Sequence, residues 1–298
     1  MTAAAVHAFD RDGPAARRLA RALGAAFAPI GLHRFPDGES SVSAAPAAAV
    51  SCLYSALNRP DAKLAPLLLA ADALRRRGAD RLILVAPYLP YLRQDRVFVP
   101  GQALSRDVFG RAVGSAFDGI ITVQAHMHRT RDLDAAFGGR PVLNLSAVTL
   151  LAQAGRWNDP VFVAPDIEAE SWARAAADAA GGTWTGFRKV RDGDREVRLG
   201  PARVDAVRGR QAVILDDICS SGATLMSAAA SLRAAGAAGV DVAVAHALFP
   251  PVVQARLLGA GIGRILSTDS IPHPTNAARL APLLAQAGIS PLLLASPL

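Results

Sequence analysis

Asp216 and Asp217 are followed by Ser220-Ser221-Gly222-Ala223-Thr224, so two carboxylates stand beside a run of small residues at the start of a helix-forming stretch. Small side chains let successive backbone N–H groups converge on an anion, and a helix N-terminus adds partial positive charge. The carboxylates cannot hold that anion. They serve sugar hydroxyls, a metal ion, or both, which is the chemistry of a phosphorylated sugar. Alone, Ser-Ser-Gly-Ala-Thr is also an ordinary helix start with Ser220 or Ser221 as N-cap. The apolar run Val213-Ile214-Leu215 ahead of the acidic pair reads as a buried strand ending in a site, and favours the cradle.

Five further clusters carry reactive side chains. Arg34 to Val42, RFPDGESSV, has a Pro36-Asp37-Gly38 turn signal and reads on its own as a hairpin loop. Pro87 to Ser105 holds Arg93, Gln94, Asp95 and Arg96 just after a strand, with Tyr88 and Tyr91 nearby; arginine offers a fixed fork of donors suited to phosphate, and a salt-bridged surface loop is the plain alternative. Thr122 to Thr130, TVQAHMHRT, puts His126, His128 and Arg129 at a strand end, where two alternating histidines share a side and could meet metal or phosphate. Ala164 to Trp172 places Asp166 at another strand end with Glu168 close by. Phe187 to Val197, FRKVRDGDREV, reads as a solvated charge run or, through Gly193 and its charged flanks, as a mobile loop that closes on substrate.

The chain that positions these groups has 298 residues, 51% hydrophobic and 19% charged, enough for one large or two medium α/β units. Cys52 and Cys219, its two cysteines, form no disulfide framework and no zinc spacing, which fits a reducing cytoplasm. No apolar run reaches the roughly 18 residues of a membrane span, and MTAAAVHAFDRDG lacks the apolar core of a signal peptide. The net charge is +7, but the basic residues are scattered and no aromatic-interleaved stripe accompanies them. A polyanionic small molecule explains them better than nucleic acid.

Strand and helix patterns alternate, giving an α/β fold with mostly parallel sheets. Strands are expected at Ser51–Leu57, Leu82–Ala86, Gly119–Val123, Pro160–Ala164, Ala212–Leu215, Val240–Ala245 and Arg264–Ser267. Helices are expected at Pro14–Ala26, Leu64–Arg77, Ser105–Ala116, Glu170–Ala179, Thr224–Ala235, Val252–Leu258 and Thr275–Gln286. Leu74-Arg75-x-x-Gly78-Ala79 is echoed by Leu232-Arg233-x-x-Gly236-Ala237, each a glycine-closed helix end before a buried strand. Two tandem domains follow, residues 1–146 and 147–298, with the apolar Ile289–Leu298 expected to pack back on the first.

In order, the FPDGE loop, the YLRQDR segment, the histidine-bearing strand end, the Pro165-Asp166 strand end, DDICSSGAT and STDSIPHP (Ser267 to Pro274) resemble the ribose-phosphate diphosphokinase, or phosphoribosyl diphosphate synthase, family across most of the chain. The resemblance implies two phosphoribosyltransferase-like domains, and transfer of the diphosphoryl group of ATP to the anomeric hydroxyl of ribose 5-phosphate. It implies Mg²⁺ as cofactor, and a dimer or larger homo-oligomer whose subunits share an active site. Phe35 then stacks on adenine, with Asp37 and Glu39 on its edge and Arg93, Gln94 and Asp95 contacting ATP from the other side. His126 lies near phosphates and metal, Asp166 serves the metal, Asp216 and Asp217 hold ribose hydroxyls or the metal shell, and Ser220, Ser221, Gly222, Ala223 and Thr224 cradle the 5-phosphate. Lys189 and Arg191 match the basic pair of the family's catalytic loop. A phosphoribosyltransferase, or a non-catalytic nucleotide-binding relative that regulates a partner, is the competing reading.

The chain departs from the commonest bacterial pattern at Gln124 (Asp), at Ser220-Ser221-Gly222-Ala223 (Asp-Thr-Gly-Gly) and at Glu168-Ala169 (a glycine pair). Ala223 is tolerable if that position does not need a positive φ. These changes resemble the plant-type and archaeal-type branches, so the family's control by phosphate and ADP is not carried over.

Overall fold

The computed structural model describes residues 4–127, 132–192, 196–201 and 204–286, with backbone alone at 188–192, 196–201 and 204. They form two compact units: residues up to Leu145 together with the stretch from Leu280, and Ser146 to Arg279.

In the first unit, β1 (Ala4–Phe9), β2 (Ala26–Arg34), β3 (Ser40–Ala44), β4 (Val50–Tyr54), β5 (Arg81–Val85), β6 (Gly119–Val123) and β7 (Val142–Leu145) stand in the order β3-β2-β1-β4-β5-β6-β7. All neighbours are parallel except β2 and β3, which form an edge hairpin. Helices α1 (Gly13–Leu23), α2 (Asp61–Arg76), α3 (Ser105–Ala116) and α4 (Leu133–Ala136) make the crossovers. Central strands such as Leu82-Ile83-Leu84-Val85 are apolar throughout because helices cover both faces. Leu53, Leu74, Leu84, Phe109, Phe117 and Phe137 share one core.

The second unit repeats the plan. It begins with α5 (Val148–Ala154). Strands β8 (Val161–Ala164), β9 (Thr183–Asp192), β10 (Glu196–Pro201), β11 (Gln211–Cys219), β12 (Gly239–Ala247), β13 (Ile265–Thr268) and β14 (Asn276–Ala278) stand in the order β10-β9-β8-β11-β12-β13-β14, again with an antiparallel edge hairpin. They are joined by α6 (Glu170–Ala180), α7 (Val204–Val207), α8 (Ala223–Ala234) and α9 (Pro251–Gly259). The architecture is the expected α/β one, two mostly parallel sheets flanked by helices. The sequence echo has a structural counterpart: Gly78 and Gly236, at φ 103° and 88°, follow α2 and α8 and turn the chain into β5 and β12.

Three elements differ from the sequence reading. The helix expected over Thr275–Gln286 starts only at α10 (Ala281–Gln286), which lies against α1 in the first unit. Asn276 instead donates from Nδ2 to Ser267 Oγ (3.0 Å) and Thr268 O (2.5 Å), drawing β14 alongside β13. The expected packing of Ile289–Leu298 lies outside the described residues. The strand expected at Ala212–Leu215 runs on to Cys219, because β12 continues beside it to Ala247. The basic segment expected as a loop places Lys189 and Arg191 on β9, paired with Leu199 and Val197 of β10; its turn at 193–195 lies outside the described residues.

Helix α3 meets the segment after α4 with no side chain between them. A Cβ on Gly110 would lie 1.9 Å from Ala136 O, and one on Gly114 2.0 Å from Phe137 O. We expect Gly114→Ala to cost about 1–3 kcal/mol through overpacking, read as a lowered denaturant midpoint at unchanged slope.

Candidate functional site

The connections reverse direction between β8 and β11, since β8 leads through α6 to β9 on one side and β11 through α8 to β12 on the other. Ligands of open α/β sheets bind in the crevice outside the strand ends at such a point. Asp166, Asp216, Asp217 and the Ser220–Thr224 segment all lie there. Asp166 follows β8, is exposed, and accepts the N–H groups of Glu168 and Ala169, both at 3.0 Å, which fixes its carboxylate at the entry to α6. Asp217 is buried and Asp216 half-buried, with the Asp217 N–H on Asp216 Oδ1 at 2.9 Å. Burial first, then the Asp217 charge, a hydrogen bond with the Asp217 side chain and last the Asp166 charge push the Asp216 carboxyl up to about 8, against the lowering effect of the Asp217 N–H.

Helix α8 begins at Ala223 behind Gly222, whose φ is 74°, and no side chain caps it. Neither Ser220 nor Ser221 is the N-cap, although Ser221 Oγ accepts the Ala223 N–H at 3.5 Å. Gly222 is required twice over: its φ is left-handed, and a Cβ there would meet Leu257 Cδ2 at 2.9 Å. Ala223 is not at positive φ, so alanine fits where the common pattern has glycine.

In the first unit, Phe35, Asp37 and Glu39 form the tip of the β2–β3 hairpin. Phe35 N–H bonds Glu39 O (2.9 Å), Gly38 N–H bonds Phe35 O (3.0 Å), and Asp37 Oδ1 takes the Glu39 N–H (3.0 Å). Phe35 is 43% exposed, its ring edge-on to His33. Arg93, Gln94 and Asp95 form a turn after β5, closed by Gln94 N–H on Tyr91 O at 2.8 Å. Three strand boundaries separate β2 from β5, about 14 Å at the usual spacing, so the tip and the turn stand apart along the sheet edge. His126 follows β6 and is half-buried. It is positioned by neighbours: Gln124 N–H bonds Leu145 O (2.7 Å) and Ala125 N–H bonds Asn144 Oδ1 (2.9 Å). Gln124 itself is buried, at φ 45°. His128 and Arg129 lie outside the described residues.

Arg59, Tyr91 and Gln124, at φ 55°, 65° and 45°, follow β4, β5 and β6 in turn. Strained non-glycine backbone collects at functional sites, and these three share one edge of one sheet; Arg156 and Asp159, at φ 47° and 43°, lie in the second unit ahead of β8. Sequence reading missed what fills the first unit's own crevice, between β1 and β4. Lys63, 5% exposed, donates from Nζ to Ala56 O and Asn58 Oδ1, and Asp12, 3% exposed, accepts from Ser55 Oγ at 3.3 Å. Burial pushes the Lys63 ammonium down to about 8, partly offset by Asp12, and raises the Asp12 carboxyl. The sequence reading places only the helix Leu64–Arg77 nearby, because buried charged groups brought together from distant segments have no local pattern.

Asp216 keeps a proton in the folded state that it has lost in the unfolded chain, so stability falls as pH rises from the ordinary carboxylate range to about 8. We expect Asp216→Asn to flatten that slope and raise the melting temperature near pH 8 relative to the parent, with little change near pH 4, measured by calorimetry without substrates.

Residues 6–111 match the N-terminal domain of ribose phosphate pyrophosphokinase, and residues 146–249 the phosphoribosyl transferase domain. The chain is 35% identical over 277 residues to the ribose-phosphate pyrophosphokinase of Methanopyrus kandleri, covering 91% of this chain and 94% of that one. It is 34% identical to the Thermococcus kodakarensis protein of that name, covering 89% and 93%. The crystal structure of phosphoribosylpyrophosphate synthetase from Mycobacterium smegmatis shares its fold with a TM-score of 0.79, at 25% identity over 96% of this chain and 97% of the other. Among the described residues no helix is long and apolar enough to cross a membrane. Sequence similarity across nine-tenths of the length and a shared two-unit fold place the chain in the ribose-phosphate pyrophosphokinase family.

Proposed function

We propose that the chain performs the reaction its family is named for: the anomeric hydroxyl of ribose 5-phosphate attacks the β-phosphorus of ATP, the bond from that phosphorus to the bridging oxygen of the α-phosphate breaks, and AMP leaves. The observation that carries this reading is the crevice between β8 and β11, where an uncapped helix start stands beside two adjacent carboxylates. Ser220 to Thr224 hold the 5-phosphate through backbone N–H groups and hydroxyls. Asp216 and Asp217 accept the ribose hydroxyls, which fixes the direction of the anomeric oxygen.

Phosphoryl transfer depends on positioning and on positive charge around the transferring group. Lys189 and Arg191 on β9 supply that charge. Arg93, Gln94 and Asp95 bind ATP from their own subunit, and His126 lies toward its phosphates. The exposed Phe35, remote from its own β5 turn along the sheet, stacks on adenine in a neighbouring subunit, with Asp37 and Glu39 at the base edge. A dimer or larger assembly follows.

The donor set fits Mg²⁺, a hard cation that takes oxygen ligands and keeps waters. Asp166, Asp216 and Asp217 offer only oxygen, and the raised Asp216 carboxyl marks a place where negative charge lacks a counter-charge. No group of three or more His, Cys, Asp or Glu able to hold a metal occurs among the described residues, so Asp166 and His126, the residues proposed to serve the metal, would each offer a single donor to an ion that arrives with the nucleotide. When bound, the ion withdraws charge from the transferring phosphates. Such an enzyme works in the cytoplasm, where ATP and sugar phosphates are found.

Incubation with Mg-ATP and ribose 5-phosphate should yield AMP and phosphoribosyl diphosphate in equal amounts by ³¹P NMR; no AMP, or diphosphate release dependent on an added base, would reject the reaction. Lys189→Ala should lower kcat about 10²–10³-fold, as loss of one charge-stabilising donor does, with ribose 5-phosphate binding unchanged by calorimetry. Phe35→Ala and Lys189→Ala, each nearly inactive, should regain partial activity when mixed under subunit exchange, because one hybrid site then has both side chains. A persistently inactive mixture counts against the shared site.

A further inference from the structure

The first turn of α2 is tied to two segments at once. Tyr91 donates its phenol hydrogen to Asp61 Oδ1. One residue on, Ala62 O accepts from Arg34 Nη2 at 3.2 Å. Tyr91 is the residue from which the Arg93–Asp95 turn departs, and Arg34 is the last residue of β2, next to Phe35.

Tyr91 is held in a costly conformation. Its φ of 65° is an outlier for an aromatic residue, and such backbone persists only where the surroundings over-determine it. The surroundings here are explicit. The ring rests against Phe109 of α3 at 5.4 Å between centroids. The hydroxyl is fixed on α2 by Asp61, which holds the phenol up at about 12, so it remains a donor at any working pH. The carbonyl takes the Gln94 N–H, and the Gln94 carbonyl in turn takes the Arg106 N–H at 3.4 Å. The side chain is anchored at both ends, and the backbone it strains is the start of the turn.

We propose that Tyr91 and Asp61 are positioning residues for the nucleotide: their hydrogen bond holds the Arg93–Asp95 turn in its binding shape, and the same helical turn, through Ala62 and Arg34, braces the Phe35 hairpin. This rests on the assignment of both segments to ATP. One turn of helix thereby supports the nucleotide contacts a subunit keeps and those it lends.

Tyr91→Phe keeps the ring and removes the donor; Asp61→Ala removes the acceptor and leaves the Tyr91 ring in place. A hydrogen bond to a charged group is worth about tenfold or more in an equilibrium. Each variant is therefore expected to speed trypsin cleavage after the exposed Arg93 and Arg96 about tenfold in the substrate-free protein. Each is also expected to raise the KM for ATP about tenfold, with kcat and the KM for ribose 5-phosphate unchanged. The double variant should be no worse than either single one, because both remove one bond. Unchanged cleavage in both single variants overturns the latch, whatever the kinetics. Faster cleavage with an unchanged KM for ATP overturns the nucleotide role of the turn while leaving the latch standing. Parallel loss of kcat and of both KM values, or additive effects in the double variant, reduces the pair to general stability and also overturns the proposal. If Tyr91→Phe fails to fold, Asp61→Ala carries the same expectations alone.

Discussion

Two like charges held side by side in a strand, against their mutual repulsion, are the constraint around which the second unit is arranged. The ladder between β11 and β12 does the holding. It pairs Asp216 with Val244 and runs to Cys219 opposite Ala247, and Leu248 N–H then bonds Cys219 O at 2.8 Å. The backbone cannot swing the carboxylates apart, so one of them keeps a proton or waits for a cation. The strand then leads through Ser220 and Ser221 to Gly222 and α8, whose N-terminus carries the opposite partial charge. On the proposed reading, the acceptors and donors for the two ends of one sugar phosphate would thus be nearly consecutive in the chain, with no distant loop to deliver either.

In the first unit, left-handed non-glycine residues follow three successive strands, β4, β5 and β6. The turns that carry Arg93 and His126 include non-glycine residues in left-handed backbone, and they are pinned by named contacts such as Asn144 under Ala125 and Asp61 on Tyr91. Preorganisation of this kind moves part of the ordering cost from binding into folding.

What was legible in the sequence follows a physical division. Elements shaped by their own burial pattern were readable: α3 at Ser105–Ala116 and β6 at Gly119–Val123 lie where periodicity puts them. The Asp216–Thr224 segment and the Phe35–Glu39 turn were readable because their chemistry is local. Elements made by partners were not. Strand β2 contains Pro29, Gly31, His33 and Arg34 and is mostly exposed; it exists because β1 on one side and β3 on the other supply its hydrogen bonds. Strands β9 and β10 look like a charged loop for the same reason, and β14 is created by one asparagine side chain. The Asp12–Lys63 crevice and the Tyr91–Asp61 bond join residues about 50 and 30 positions apart, beyond any spacing rule.

The two units share a topology strand for strand, yet their crevices are chemically opposite. In the second, the acidic pair Asp216 and Asp217 stands beside the start of α8. In the first, the ammonium of Lys63 already fills the corresponding place and is bonded to Ala56 O and Asn58. On the proposed reading the consequence is one of counting: a chain built as a duplicate would offer a single berth for the sugar, not two. The plugged copy would have no ligand to recognise at its own crevice, and its strand-end loops would be at liberty to serve the other half of the reaction.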